Sequence, residues 1–331
     1  MIGAFGHDVR MARAPLLRRR IVSWGLALAA LSFVAWVVPF RDHGGEPGLY
    51  RIVTHANLGI LGALLLVYLA GTGVWAARWR RLLRLAGIQR SLFWVWRLTV
   101  QAQAAGVLLP GGLGGDAMRI AWVTGEGARL PIALGSVLLD RAIGLTTLAT
   151  LGALGGISAG SASPALWVLG AIPVGFVLGV VLLRSALVRE AAWMSRGFAA
   201  RTLKPVVDYL AEPEAPSAIV TCALLSFVLS AIQLGVNRGL IVALGAHPIS
   251  EKWVYVGLTL AMTTGAIPAL PGGWGTVDAA YVYFLGLAGL SAPIALAVCL
   301  LYRLFWYLSG AVGSVLLMAQ GTRPLVTPPR T

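Results

Sequence analysis

Three aspartates and three arginines stand in or beside apolar stretches, where a charge needs a reason. Asp140 and Arg141 are adjacent within 132–157, Arg303 lies within 293–318, and Asp116, Arg119 and Asp278 follow glycine-rich turns. A charge at the centre of a membrane helix costs about 2.5–3.5 kcal/mol on insertion scales, so it calls for a partner or a polar cavity. The chemistry these residues suit is anion binding, because a planar guanidinium donates two parallel hydrogen bonds to a phosphate. Arg141 and Arg303 are the candidate phosphate ligands. Asp116, Asp140 and Asp278 would position the arginines or engage a cationic group. Arg119, Gln101 and Gln103 complete the candidate substrate-binding set. The alternative is that the charges are structural ion pairs locking helices together. Asp140 and Arg141 point about 100° apart on a helix and need not pair with each other. Asp116, Arg119 and Asp278 are their candidate partners.

The elements that must carry these residues occur twice. Pro110-Gly111-Gly112-Leu113-Gly114 returns as Pro271-Gly272-Gly273-Trp274-Gly275, 161 positions later in a chain of 331. Asp116 lies six residues past the first proline and Asp278 seven past the second, and Arg141 and Arg303 follow at 31 and 32. A period of half the chain implies two copies of one unit. Matching Gly/Pro interruptions of apolar segments in two halves of a membrane protein point to a substrate site. Proline ends the arriving helix. Gly111, Gly112, Gly114 and Gly115 in one loop, with Gly272, Gly273 and Gly275 in the other, permit left-handed backbone and close approach. Free amides at the start of the departing helix then attract anions.

Composition places the chain in a membrane. It is 58% hydrophobic and 11% charged, with mean hydropathy +0.82, against about 25% charged in soluble domains. Six apolar stretches approach or exceed the roughly 20 residues that cross a bilayer: 21–40, 58–75, 132–157, 166–183, 219–244 and 293–318. The first is too long in its apolar core for a signal peptide and reads as a retained anchor. The arms flanking each Gly-Pro loop are short or interrupted, as by Arg97 and Arg119, and read as re-entrant hairpins. The expected fold is therefore all-α and polytopic, with six full spans plus two re-entrant helical hairpins. Three spans separate the hairpins, and an odd number reverses the side of entry, so the halves form an inverted repeat.

The net charge of +14 comes from 26 basic and 12 acidic residues. Arginines cluster at 10–20, 78–90 and 184–201, while the alternate connections hold few; this is the positive-inside pattern and puts both termini in the cytoplasm. Arg78 is counted here with Arg80, Arg81, Arg84 and Arg90. The segments are a basic N-terminus at 1–20, a first half at 21–183, a cytoplasmic amphipathic linker at 184–216, a second half at 217–318 and a tail at 319–331, all in one membrane domain. Leu187, Ala191, Met194 and Phe198 give the linker its apolar face.

Several functions are disfavoured. Cys222 and Cys299 offer neither a disulfide framework nor a metal spacing, and the four histidines are scattered. Neither lysine ends a phosphate-binding Gly-x-x-x-x-Gly-Lys loop. No cofactor, no metal and no nucleic-acid partner are expected.

Taken together, Leu109-Pro110-Gly111-Gly112-Leu113-Gly114-Gly115-Asp116-Ala117-Met118-Arg119, then Asp140-Arg141, then Leu270-Pro271-Gly272-Gly273-Trp274-Gly275 with Asp278, then Arg303, resemble the membrane region of lysylphosphatidylglycerol synthases and of stand-alone flippase-like proteins. The resemblance covers roughly residues 18–320. It implies handling of lipids with polar headgroups, aminoacylated phosphatidylglycerol in the fused synthases and polyprenyl- or other lipid-linked compounds in some relatives. The chain departs from the family at Gly106 or Val107, where relatives often have asparagine, and at Asp140 and Asp278, where they usually have glutamate. The sequence ends at Thr331 with no soluble aminoacyl-transfer domain, so aminoacyl transfer is not expected of it.

The expected function is that of an integral lipid translocator in the cell (inner or cytoplasmic) membrane, not an enzyme. It would move a polar-headgroup or polyprenyl-linked lipid between leaflets, its phosphate held by buried arginines. The expected partners are membrane lipids, anionic or phosphate-bearing. An intramembrane enzyme with a carboxylate as general base, or an accessory subunit for a glycosyltransferase or lipid-modifying enzyme, is the alternative.

Overall fold

Long apolar runs with glycine or proline at their ends dictate a helical chain, and helices are what the molecule builds. The computed structural model describes residues 32–42, 47–106, 112–158, 164–185, 204–265 and 273–319, and among these all regular secondary structure is helical. After a turn of helix at 32–37 come α1 (Leu49–Thr54), α2 (Leu58–Leu85), α3 (Leu92–Gly106), α4 (Leu113–Gly125), α5 (Leu130–Ser158) and α6 (Pro164–Arg184). They are followed by α7 (Lys204–Ala211), α8 (Ala215–Ala243), α9 (Glu251–Thr264), α10 (Thr276–Gly286) and α11 (Ala292–Met318).

Four of these, α2, α5, α8 and α11, are long and apolar enough to cross a membrane. They contain the sequence-predicted spans 58–75, 132–157 and 293–318, and 219–244 up to Ala243. The stretch 166–183 falls in α6, whose apolar part is Leu169–Leu183, and most of 21–40 lies outside the described residues. So do both prolines of the repeated loops, Pro110 and Pro271, with Gly111 and Gly272, and the amphipathic part of the linker at 186–203. Large apolar side chains stand exposed along α6 and α8, among them Val174, Val181, Val220 and Leu224. Outward apolar faces on helices of this length are what a bilayer solvates.

The four remaining helices of the two repeats are short: 15 and 13 residues for α3 and α4, 14 and 11 for α9 and α10. None reaches the roughly 20 residues of a full crossing. α3 packs against α4, and α9 against α10. Glycine sets how close. A Cβ at Gly114 would sit 2.0 Å from the Ala105 carbonyl oxygen, one at Gly115 2.5 Å from that of Ala102, and one at Gly257 2.7 Å from that of Phe284.

The short pairs are clasped by the long helices crosswise. α3 lies against α11, and α9 against α5, while α2 and α8 form the most extensive contact between them. Gly310 and Gly313 of α11 admit the backbone of α3, and Gly152 of α5 admits Thr259 of α9. Polar contacts mark the ends of the bundle. Arg90 pairs with Glu126 and Arg81 with Glu214 where α3, α4 and α8 begin or end. Arg238 pairs with Glu251, and Lys252 donates to the Ser158 carbonyl oxygen, where α5, α8 and α9 meet. Outside the helices, Asp42 accepts from the Gly48 amide at 2.8 Å, a bond that holds its carboxyl below the usual carboxylate range.

Candidate functional site

Both glycine turns deliver an aspartate into the first turn of a short helix. Gly112 and Gly273 occupy the same left-handed conformation, φ 72° and 70°, which only glycine adopts without strain. Asp116 follows in α4 and Asp278 in α10. Each then meets the arginine of the next long helix. Arg141 Nε lies 2.5 Å from Asp116 Oδ2, and Arg303 Nη1 lies 2.7 Å from Asp278 Oδ1. The two pairs are the repeat written in side chains.

Their surroundings differ. Asp140, buried, is gripped from three sides. Arg78 Nε donates to Oδ1 at 2.7 Å, Arg119 Nη2 to Oδ2 at 2.9 Å, and the Trp75 indole to Oδ2 at 3.0 Å. Arg78 also donates to Ser226 Oγ at 2.9 Å, which ties α2, α5 and α8 together. Arg119 stacks 4.1 Å from the centre of the Trp79 ring and reaches to within 3.7 Å of Asp116 Oδ1. The second half has Tyr302 beside its arginine where the first has Asp140. Asp278 there accepts from its own N-cap amide, Gly275, at 2.8 Å and from the Cys299 thiol at 3.3 Å. Arg303 lies over the Trp274 ring at 4.0 Å.

Of the sequence-predicted residues, Asp116, Arg119, Asp140, Arg141 and Gln103 line one cavity of about 300 Å³. Arg303 lines a second of about 300 Å³. The two adjoin, sharing Trp75, Gly112, Gln233, Met262, Gly265 and Trp306. Asp278 is buried behind Arg303. Gln101 is buried on α3, but its amide has no hydrogen-bond partner among the described residues and does not line either cavity. Thr259, Thr263 and Thr264 satisfy their hydroxyls on their own helix. A wider groove of about 670 Å³ near Arg84, Arg129 and Asp208 lies apart from this cluster.

Arg78 is the main correction to the sequence reading. It is not a topology charge beside Arg80 and Arg81 but a buried partner of Asp140. The hydropathy run stops at Trp75, whereas the helix continues to Leu85. The aromatic and amide walls, Trp75, Trp306, Tyr302 and Gln233, were also not singled out. Gln233 and Tyr302 carry no pattern that separates them from ordinary helix residues.

The charge count around the two cavities is uneven. Four arginines (78, 119, 141, 303) face three aspartates (116, 140, 278). The loops 107–111 and 266–272 contain no ionisable side chain. Two guanidinium nitrogens of Arg303 and two of Arg119 lack an aligned hydrogen-bond acceptor among the described residues, although Arg303 Nη1 is within ion-pair distance of Asp278. Among the described residues, buried guanidinium donors without aligned acceptors are a setting for an anion. Among the described residues no group of three or more His, Cys, Asp or Glu is placed to hold a metal.

The family model for the lysylphosphatidylglycerol synthase TM region matches residues 22–313, and the chain belongs to that family. It is a multi-pass membrane protein, as both the family and the apolar helices require. No curated protein matches the chain.

Proposed function

We propose that this member of the lysylphosphatidylglycerol synthase TM-region family is a translocator of phosphate-bearing lipids. The observation that carries the reading is the pair of joined cavities walled by arginines, three of the four buried, that outnumber their aspartates among the described residues. A headgroup phosphate enters this chamber and is held by Arg141 and Arg303, with Arg119 behind them, while the acyl or prenyl chains stay in the bilayer. Asp116 and Asp278 hold the two arginines in place until the phosphate arrives.

Alternating access follows from an inverted repeat, in which α2, α3–α4 and α5 correspond to α8, α9–α10 and α11. Reciprocal packing supports it: α3 lies on α11 as α9 lies on α5, and α4 on α5 as α10 on α11. The short pairs are re-entrant hairpins, opening at opposite ends of the bundle. Their ion pairs favour this, Arg90–Glu126 for the first and Arg238–Glu251 for the second. With α6 and the 21–40 stretch the chain has six spans, set in the cell membrane with its basic end cytoplasmic. Rocking of one half against the other would expose the arginines to each leaflet in turn.

Binding rather than catalysis is the better use of this site. All three carboxylates already hold guanidinium groups, so none is placed to abstract a proton. The test is mass spectrometry of lipid that copurifies in mild detergent. A phosphate-bearing lipid in the wild type, reduced in an Arg141→Ala/Arg303→Ala protein, is the expected result; equal retention by both removes the arginine role.

A further inference from the structure

The two joined cavities differ in chemistry, and that difference narrows the lipid. The first is lined by Arg78, Arg119, Arg141, Asp116 and Asp140. The second has one charged residue, Arg303, and is walled by Tyr68, Trp75, Tyr281, Tyr302 and Trp306. Tyr68 and Tyr302 stand perpendicular, 5.5 Å between ring centres, and Gln233 reaches both cavities. We infer that the chamber takes a lipid-linked glycosyl phosphodiester: the single negative charge on the arginines, and a neutral, hydroxylated ring against the aromatic wall. This rests on the phosphate-lipid reading above and adds the nature of the group beyond the phosphate.

Charge arithmetic argues against a cationic headgroup. Among the described residues the four arginines of the two cavities exceed the three aspartates by one positive charge, which one phosphodiester anion neutralises. An added ammonium would restore the excess in a region where charges are poorly screened. It would also find no carboxylate to itself. Asp140 accepts from Arg78, Arg119 and Trp75. Asp116 holds Arg141, and Asp278 serves Gly275, Cys299 and Arg303.

The hydrogen-bonding inventory favours a sugar. Gln103 is 4% exposed, lines the first cavity, and its Oε1 has no partner among the described residues. Arg119 brings unaligned donors to the same cavity, and Arg303 brings others to the adjoining one. A hydroxyl both donates and accepts, so a polyhydroxylated ring serves both kinds of group, whereas an ammonium donates only. The C–H face of a hexose is apolar and suits an aromatic wall, with its hydroxyl edge toward Gln103 and Gln233. Each cavity, at about 300 Å³, is at the lower end of the small-ligand range of roughly 300–1,000 Å³.

The test uses the full chain in detergent and three short prenyl phosphodiesters, bearing a methyl, a hexosyl or an aminoethyl group, with binding read by tryptophan fluorescence. The hexosyl lipid should bind at least about tenfold more tightly than the methyl lipid, and the aminoethyl lipid more weakly than either. Trp306→Leu should weaken the hexosyl lipid more than the methyl lipid, so that the hexosyl preference falls. Equal affinity for hexosyl and methyl lipids, or preference for aminoethyl, overturns the sugar assignment and leaves the phosphate reading standing. Failure of all three to bind overturns both. Equal affinity for water-soluble methyl hexosyl phosphate overturns the lipid-linked source. The comparison of ligands on the wild type decides the matter even if the variant does not fold.

Discussion

Arg303 lies 2.7 Å from Asp278 in the second half of the chain, in the same relation that Arg141 holds to Asp116 in the first. Each aspartate comes from the first turn of a short helix after a left-handed glycine, and each arginine from the long helix that follows. The arginines of the two pairs face adjoining cavities, the arrangement on which the proposed phosphate binding rests. The halves diverge around them. Asp140 binds two arginines and an indole, while its counterpart position holds Tyr302.

That divergence makes Asp140 the structural keystone of the pair of halves. Removing one partner of a buried ion pair typically costs about 3–5 kcal/mol because the other charge is stranded. Asp140→Ala strands both Arg78 and Arg119, so it should destabilise more than Arg78→Ala, which leaves Asp140 bound to Arg119 and Trp75. Thermal unfolding in detergent checks the order; equal loss in the two variants contradicts it.

The close approach of short helix to short helix predicts an asymmetric alanine scan. Gly114→Ala places a methyl 2.0 Å from the Ala105 carbonyl oxygen, and Gly313→Ala places one 2.2 Å from that of Val100. Backbone cannot yield as a side chain can, so each should cost at least the roughly 1–3 kcal/mol usual for overpacking. Gly62→Ala meets nothing within 4 Å and should leave stability unchanged or slightly higher. Folded yield after solubilisation and melting temperature report the difference.

Opposed hairpins predict opposed labelling. In a Cys222→Ser/Cys299→Ser background, Gln89→Cys marks the open end of the first pair. Ile249→Cys, at a position 89% exposed, marks that of the second. An impermeant thiol reagent should label Ile249→Cys in intact cells and Gln89→Cys only after permeabilisation. Labelling of both from the same face contradicts the inverted repeat.

Much of this was legible beforehand because it is written locally. The left-handed Gly112 and Gly273, the four long apolar helices and the Asp–Arg spacing all depend on neighbours in sequence. Of the candidate partners Asp116, Arg119 and Asp278, Arg119 meets Asp140, Asp116 meets Arg141, and Asp278 meets Arg303 instead. Arg78 escaped because its partner is 62 residues away, and because an arginine past the end of an apolar run looks like a topology charge. The helix carries it inward by continuing to Leu85, which hydropathy does not register. Trp306, Tyr302 and Gln233 escaped for a different reason. They become a cavity wall only when α8 and α11 come together.

The central claim is that Arg141 and Arg303 hold a lipid phosphate in transit. It is tested most directly in vesicles containing a fluorescent phospholipid, with dithionite quenching reporting movement between leaflets. The wild type should speed exchange, and an Arg141→Ala/Arg303→Ala protein of unchanged fold should lose at least about tenfold in rate, the equivalent of one charge-assisted hydrogen bond or more. Equal rates for the two proteins would contradict the account.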